Sequence, residues 1–135
     1  RQWTFSRDED LGEVMANSYF TYFNQGMIKE LAAHYVPVHC QKSLTVGGAH
    51  AMCEGPMDIL QQLESLKGMV VQLKGSIHQP TIGGGMLVIS TGVSLSPHAG
   101  LSFSHVLSLV RTNETYKQNV GYQIVNDALC FLSTS

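Results

Sequence analysis

Residues 55–80 read GPMDILQQLESLKGMVVQLKGSIHQP, and the fold turns on a change of period inside that stretch. Gly55-Pro56 opens a helix with proline at its first position, where a backbone N–H is not needed. Ile59, Leu60, Leu63 and Leu66 supply its buried stripe, and Lys67-Gly68 closes it. From Met69 onward the apolar residues recur every second position. Met69, Val71, Leu73 and Ile77 alternate with Gln72, Lys74, Ser76 and His78, the pattern of a half-buried strand. Gln79-Pro80 and Gly83-Gly84-Gly85 turn the chain. The glycines precede a strand rather than a helix, so they read as a turn and not as a phosphate loop.

Working downstream, Met86–Leu95, Phe103–Val110 and Val120–Leu132 read as three further strands. Ser96-Pro97-His98-Ala99-Gly100 and Thr112-Asn113-Glu114 are the expected hairpin connections. Upstream, Ser6-Arg7-Asp8-Glu9 has the form of a capping box. Leu11, Val14, Met15, Tyr19, Tyr22 and Phe23 follow as one helical face, ended at Gln25-Gly26. A short helix from Met27 to about His34 stops ahead of Pro37. Val38, Cys40, Leu44 and Val46 alternate as a strand up to Gly47-Gly48, while Ala49–Glu54 fits a short strand or a loop. Three helices and a run of hairpin-linked strands make an α+β domain over residues 1–135, with helices packed on one face of a mainly antiparallel sheet.

Composition narrows the function classes. The chain is 44% apolar with a mean hydropathy of +0.04, and no run approaches the ~18 apolar residues of a membrane helix. It opens on Arg with no basic-then-apolar leader, and no membrane association is expected. Net charge is −2, and the eight Lys and Arg are scattered. Direct nucleic-acid binding needs clustered cations to neutralise phosphates and is not expected. Cys40, Cys53 and Cys130 form an odd set without CxxC spacing, which favours a reducing, intracellular setting. The six histidines include no HxxxH or HxH pair, so no metal site and no cofactor is expected.

Charge placement is more informative. Residues 1–67 hold thirteen of the eighteen charged side chains, and the strands that follow are almost bare. An antiparallel sheet with one solvated face should carry charge there. If Phe103, Leu107 and Leu109 point inward, then Ser104, Val106 and Ser108 point out. On the last strand either alternation leaves apolar residues outside: Tyr122, Ile124, Ala128 and Cys130, or Val125, Leu129 and Phe131. Such a face reads as a protein interface. The expected dimer interface is Ser104, Val106, Ser108, Tyr122, Ile124, Asn126 and Ala128.

Catalytic signals are thin. Eight of the ten carboxylates lie in the first 64 residues, on helix surfaces and at helix starts. Asp127 stands alone mid-strand, and GxSxG, HExxH and Walker-type motifs are missing from the sequence. His78 and His105 are the histidines able to line a pocket. A lone strand histidine is more often a packed, hydrogen-bonded residue than a base. No catalytic residue is expected.

Several motifs, taken in order, resemble the nuclear transport factor 2 family. They are Tyr19-Phe20-Thr21-Tyr22-Phe23, Leu31-Ala32-Ala33-His34-Tyr35, the Gly55-Pro56-Met57-Asp58-Ile59 helix with Leu63 and Leu66, and the turn His78-Gln79-Pro80-Thr81. The end, Tyr122-Gln123-Ile124-Val125-Asn126-Asp127 before Ala128-Leu129-Cys130-Phe131, is similar to that family's closing strand. The resemblance implies a cone-shaped fold whose strongly bent sheet dimerises through its exposed face, with Asn126-Asp127 in a structural or rim role. It implies a non-enzymatic dimerisation module of nucleocytoplasmic transport, found in nucleus, cytoplasm and at the nuclear pore. Its partners would be itself or a homologous larger export receptor, with phenylalanine-glycine nucleoporins or short Phe-containing peptides.

Where the transport factor itself grips Ran with acidic residues, this chain has Val46-Gly47 and Ser96-Pro97-His98-Ala99-Gly100, so Ran carriage is not expected. Two branches remain: a messenger-RNA export cofactor, expected first, and the dimerisation module of stress-granule scaffold proteins. The same fold also hosts isomerases and dehydratases, which would require Asp127 deep in the cone beside His105.

Overall fold

A computed structural model describes residues 3–6, 11–116 and 119–132. Elements follow in the order β1 (Trp3–Ser6), α1 (Leu11–Asn24), α2 (Ile28–Ala32), β2 (Gln41–Val46), β3 (Ala49–Glu54), α3 (Pro56–Ser65), β4 (Val70–Pro80), β5 (Met86–Ser96), β6 (Ser102–Tyr116) and β7 (Asn119–Leu132). The strands form one mixed sheet in the order β3-β2-β7-β6-β5-β4, open at both ends, with β1 paired to the start of β7. All pairings are antiparallel except β2 with β7. The expected α+β layout, with three helices on a mainly antiparallel sheet, is what the chain forms.

The helices pack on one sheet face because their apolar stripes have nowhere else to go. Met15, Ala16, Tyr19, Phe20 and Phe23 of α1 are buried, as are Ile59 and Leu63 of α3. The buried α1 stripe centres on Tyr19, so Val14 and Tyr22 lie at its margins, partly buried against the core. Inward residues of the strands complete the core: Val71, Met86, Val88, Phe103, Leu107, Leu109, Tyr122, Ile124, Leu129 and Phe131. At Gly92 the backbone of β4 and the Phe103 ring come so close that a Cβ would lie 2.1 Å from the Gln72 carbonyl oxygen and 2.5 Å from the ring.

Three features differ from the reading of the sequence, and one open alternative is resolved. Strand β1 has only four residues, too few to show a period. The strand expected from Val38 starts at Gln41, because His39 adopts a left-handed φ of 60° and bends the chain. Thr112-Asn113-Glu114 is not the hairpin turn. Arg111 pairs with Tyr122 and Thr115 with Val120, so these polar residues form an irregularity within a continuing strand. Ala49–Glu54, which fitted strand or loop, is a strand. The capping box at Ser6–Glu9 runs into 7–10, outside the described residues.

Candidate functional site

Five elements send one polar side chain each into the middle of the core. Tyr19 comes from α1, Tyr35 from the segment after α2, Lys42 from β2, His105 from β6 and Asp127 from β7. All are sealed from solvent, at 0% exposure for Tyr19 and Lys42 and 2% for Asp127. Tyr19 donates its hydroxyl to Asp127 Oδ2 at 2.6 Å, and Tyr35 donates a short hydrogen bond to the same oxygen. His105 Nε2 lies 2.8 Å from Asp127 Oδ1. Lys42 Nζ stands 4.0 Å from Oδ1, an ion pair without a hydrogen bond.

Burial alone would raise the Asp127 pKa by penalising its charge. The Lys42 ammonium and His105, with the hydrogen bonds from His105 and Tyr19, outweigh that, and the carboxyl is held well below the usual carboxylate range. Tyr19 and Tyr35 are pushed well above the ordinary phenol value, first by burial and then by the Asp127 charge. The cluster is therefore a fixed carboxylate ringed by neutral phenols and an ammonium.

A general base must offer an unoccupied lone pair to a substrate and must tune its proton affinity towards neutrality. Asp127 already accepts three hydrogen bonds, two on Oδ2 and one on Oδ1, and its proton affinity is driven the opposite way. Two clefts on the described surface lie elsewhere. One of about 650 Å³ runs along α1 past Val14, Thr21, Tyr22 and Met27. Another of about 330 Å³ lies between α1 and β4 at Glu13, Asn17 and Lys74. Neither is lined by Asp127, His105 or Lys42. Among the described residues no group of three or more His, Cys, Asp or Glu is placed to hold a metal.

His78 lies apart from this cluster, on exposed β4, where its Nδ1 accepts the Gly12 N–H at 3.1 Å. It helps seat α1 on the sheet. Lys42 was missed from the sequence although the signal was present: Cys40, Lys42, Leu44 and Val46 share one alternation, and three of them are apolar. Asp127 faces the core and not the rim, which leaves the structural one of the two roles that the resemblance implied.

The other face of the sheet carries the second feature. Cross-strand register aligns Met52, Ser43, Ala128, Val106, Ile89 and Ile77 in one row over six strands. A flanking row holds Glu54, Gln41, Asn126, Ser108, Leu87 and Gln79. On the other side lie His50, Thr45, Cys130, Ser104, Thr91 and Gly75. Every one of these positions is exposed or partly exposed, and Glu54, on the edge strand, is the sole carboxylate in the three rows. Met52 is 65% exposed and Ile77 63%, so the central row is open at both ends.

Of the seven residues expected on this face, Ser104, Val106, Ser108, Asn126 and Ala128 lie on it. Tyr122 and Ile124 do not: they are 5% and 0% exposed and point into the core. Ser108 pairs with Asn126 but Leu109 pairs with Ile124, so Val125 is an extra residue in β7 and the alternation changes phase there.

With the bent sheet, its helical cover and the closing strand in view, comparison with solved structures becomes informative. No protein-family model matches the sequence, and neither does any curated protein. Nuclear transport factor 2 from Cryptosporidium parvum superposes with a TM-score of 0.74 at 20% identity, covering 89% of this chain and 90% of that one. The fold is that of nuclear transport factor 2. A chain of the yeast complex of the deubiquitinase Ubp3 and its cofactor Bre5 gives 0.72 at 15% identity, covering 93% and 97%. A putative scytalone dehydratase from Novosphingobium aromaticivorans gives 0.66 at 14% identity, covering 90% and 81%. This nuclear-transport-factor-2-like fold thus hosts carriers, protein-complex subunits and proteins assigned as enzymes.

Proposed function

We propose that the chain is a non-enzymatic protein-binding and dimerisation module of nucleocytoplasmic transport, acting in the nucleus, the cytoplasm and at the nuclear pore. Its first-ranked role is that of a messenger-RNA export cofactor paired with a larger homologous receptor and supporting nucleoporin binding. The observation that carries the binding reading is the outer sheet face, where a mainly apolar central row is flanked by hydroxyl, amide and small apolar side chains, with His50 and a single carboxylate, Glu54, at the β3 margin. Water gains little from such a face, and covering it removes apolar surface at about 25 cal/mol per Å² with few charges to desolvate. The likeness to a transport factor and to a subunit of a deubiquitinase complex supports a protein partner in general. The transport setting rests on the sequence resemblance. A homodimeric peptide-binding module of a scaffold protein is the alternative within the same class.

A small-molecule isomerase or dehydratase is the reading from another class, and one observation favours it: Asp127 does face inward beside His105. Against it stand the three hydrogen bonds and the ion pair that already hold the carboxylate in the core. Affinity purification of the tagged chain from its native cell extract, with light scattering on the eluate, tests the proposal. Recovery of a homologous receptor in equal amounts supports the export cofactor, and a self-pair supports the scaffold module. Elution as a single chain, with Val106→Arg changing nothing, contradicts both.

A further inference from the structure

The two edges of the sheet are built differently, and the difference identifies a second interface. At the β4 edge, Asn24 of α1 acts as a substitute strand: its Nδ2 donates to the Val71 carbonyl at 2.8 Å and its Oδ1 accepts the Val71 N–H at 2.9 Å. Register shifts at Val70/Val71 and Leu73/Gly75, with Lys74 between Leu73 and Gly75 and Pro80 at the end, disrupt the rest of that edge. These are devices that prevent strand addition. Strand β3 has none of them. It runs from Ala49 to Glu54 in unbroken register with β2, contains no Pro or Lys, and pairs only with β2 among the described residues.

Turn geometry fixes which backbone groups are open. Gly47-Gly48, both at positive φ, make a two-residue turn between Val46 and Ala49, which therefore exchange hydrogen bonds. The same phase is set at the far end by the Gly55 N–H on the Cys40 carbonyl at 2.8 Å. Ala49, Ala51 and Cys53 thus bond to β2, and the N–H and C=O of His50, Met52 and Glu54 face the open edge.

We propose that this edge pairs antiparallel with β3 of a second copy of the chain, about a two-fold axis through Met52. That register brings every open group onto an open group. It sets Met52 against Met52 and His50 against Glu54 of the other copy, twice over by symmetry. The side chains are held ready for it. Gln41 donates to Glu54 Oε1 at 3.1 Å and the Thr45 hydroxyl meets His50 Nδ1 at 3.0 Å, leaving Glu54 Oε2 and His50 Nε2 for the facing strand. An opposed pair of unlike polarity favours pairing, and like charges directly opposite oppose it. Registers displaced by two residues leave open groups unmatched. This interface is distinct from the outer face and turns both outer faces the same way.

Sedimentation of the Val106→Arg chain, in which the outer face is disabled, is the test, with circular dichroism confirming the fold of each variant. Val106→Arg should sediment at twice the chain mass. At pH 5, below the ordinary histidine value of about 6.5, adding Glu54→His should halve that mass, because two cations then face one another, and adding His50→Glu as well should restore it. Met52→Cys in the Val106→Arg background should cross-link to a dimer under mild oxidation, whereas Ile77→Cys, equally exposed but on the β4 edge, should not. A single-chain mass for Val106→Arg overturns the proposal and leaves the outer-face reading intact. Insensitivity to Glu54→His, or no recovery in the swapped pair, overturns it equally. An unchanged mass on Val106→Arg from a wild-type dimer, abolished by Glu54→His, upholds the edge and removes the outer face.

Discussion

Replacing Asp127 by asparagine should remove about 3–5 kcal/mol of stability, the cost of leaving one member of a buried ion pair without its partner. The structure says where that cost falls. An asparagine oxygen in the Oδ2 position still accepts from Tyr19 and Tyr35, and His105 can change tautomer to accept from the new amide. Lys42, at 0% exposure and with no hydrogen-bond partner, loses its counter-charge and cannot be compensated. For domains held by about 5–15 kcal/mol the loss is large. With a urea slope of about 2 kcal/mol per M it moves the unfolding midpoint down by about 2 M.

The pH dependence follows from the same geometry. Asp127 has a folded-state pKa below its unfolded value, so its stabilisation is complete above the unfolded value of about 3.9 and is lost as pH falls towards the folded one. Asp127→Asn should lose that acid-side component. Lys42→Met added to Asp127→Asn should recover most of the loss, since an apolar side chain of similar length needs no counter-charge. Urea melts of the wild type, both single variants and the double variant between pH 3 and 8 provide the cycle. A loss below about 1 kcal/mol for Asp127→Asn, or strict additivity with Lys42→Met, refutes the argument that the ion pair organises the core.

Gly92→Ala should destabilise by at least about 2 kcal/mol in the same melts, because its Cβ would strike backbone and an aromatic ring at once. Asn24→Ala should cost about 2 kcal/mol by freeing both backbone groups of Val71, and amide exchange at Val71 should accelerate accordingly. Val106→Arg, on an exposed position, should shift stability by no more than about 0.5 kcal/mol while removing the outer-face partner, as read by light scattering.

How much of this was legible beforehand depended on period. The break at Gly68 separates a helical repeat from an alternating one, and that alone placed α3 before a sheet. The charge-poor strands announced the outer face. Tyr122 and Ile124 were misplaced because an extra residue at Val125 is invisible to a rule of two. Strand β3 gave no clear reading because nearly all its side chains are exposed, so alternation carried no contrast. The cluster at Asp127 is a product of tertiary structure: Tyr19 and Tyr35 lie 108 and 92 residues from it in sequence, and only packing of α1 and α2 on the sheet unites them.

The most direct test of the outer-face claim is light scattering on the tagged chain purified from its native cells, wild type beside Val106→Arg. The wild type should carry an outer-face partner, itself or a larger relative, beyond the β3-edge pair, and the variant should lose that partner and fall to the mass of the edge-paired dimer while staying folded. A variant that keeps the same companion in the same ratio would contradict the claim.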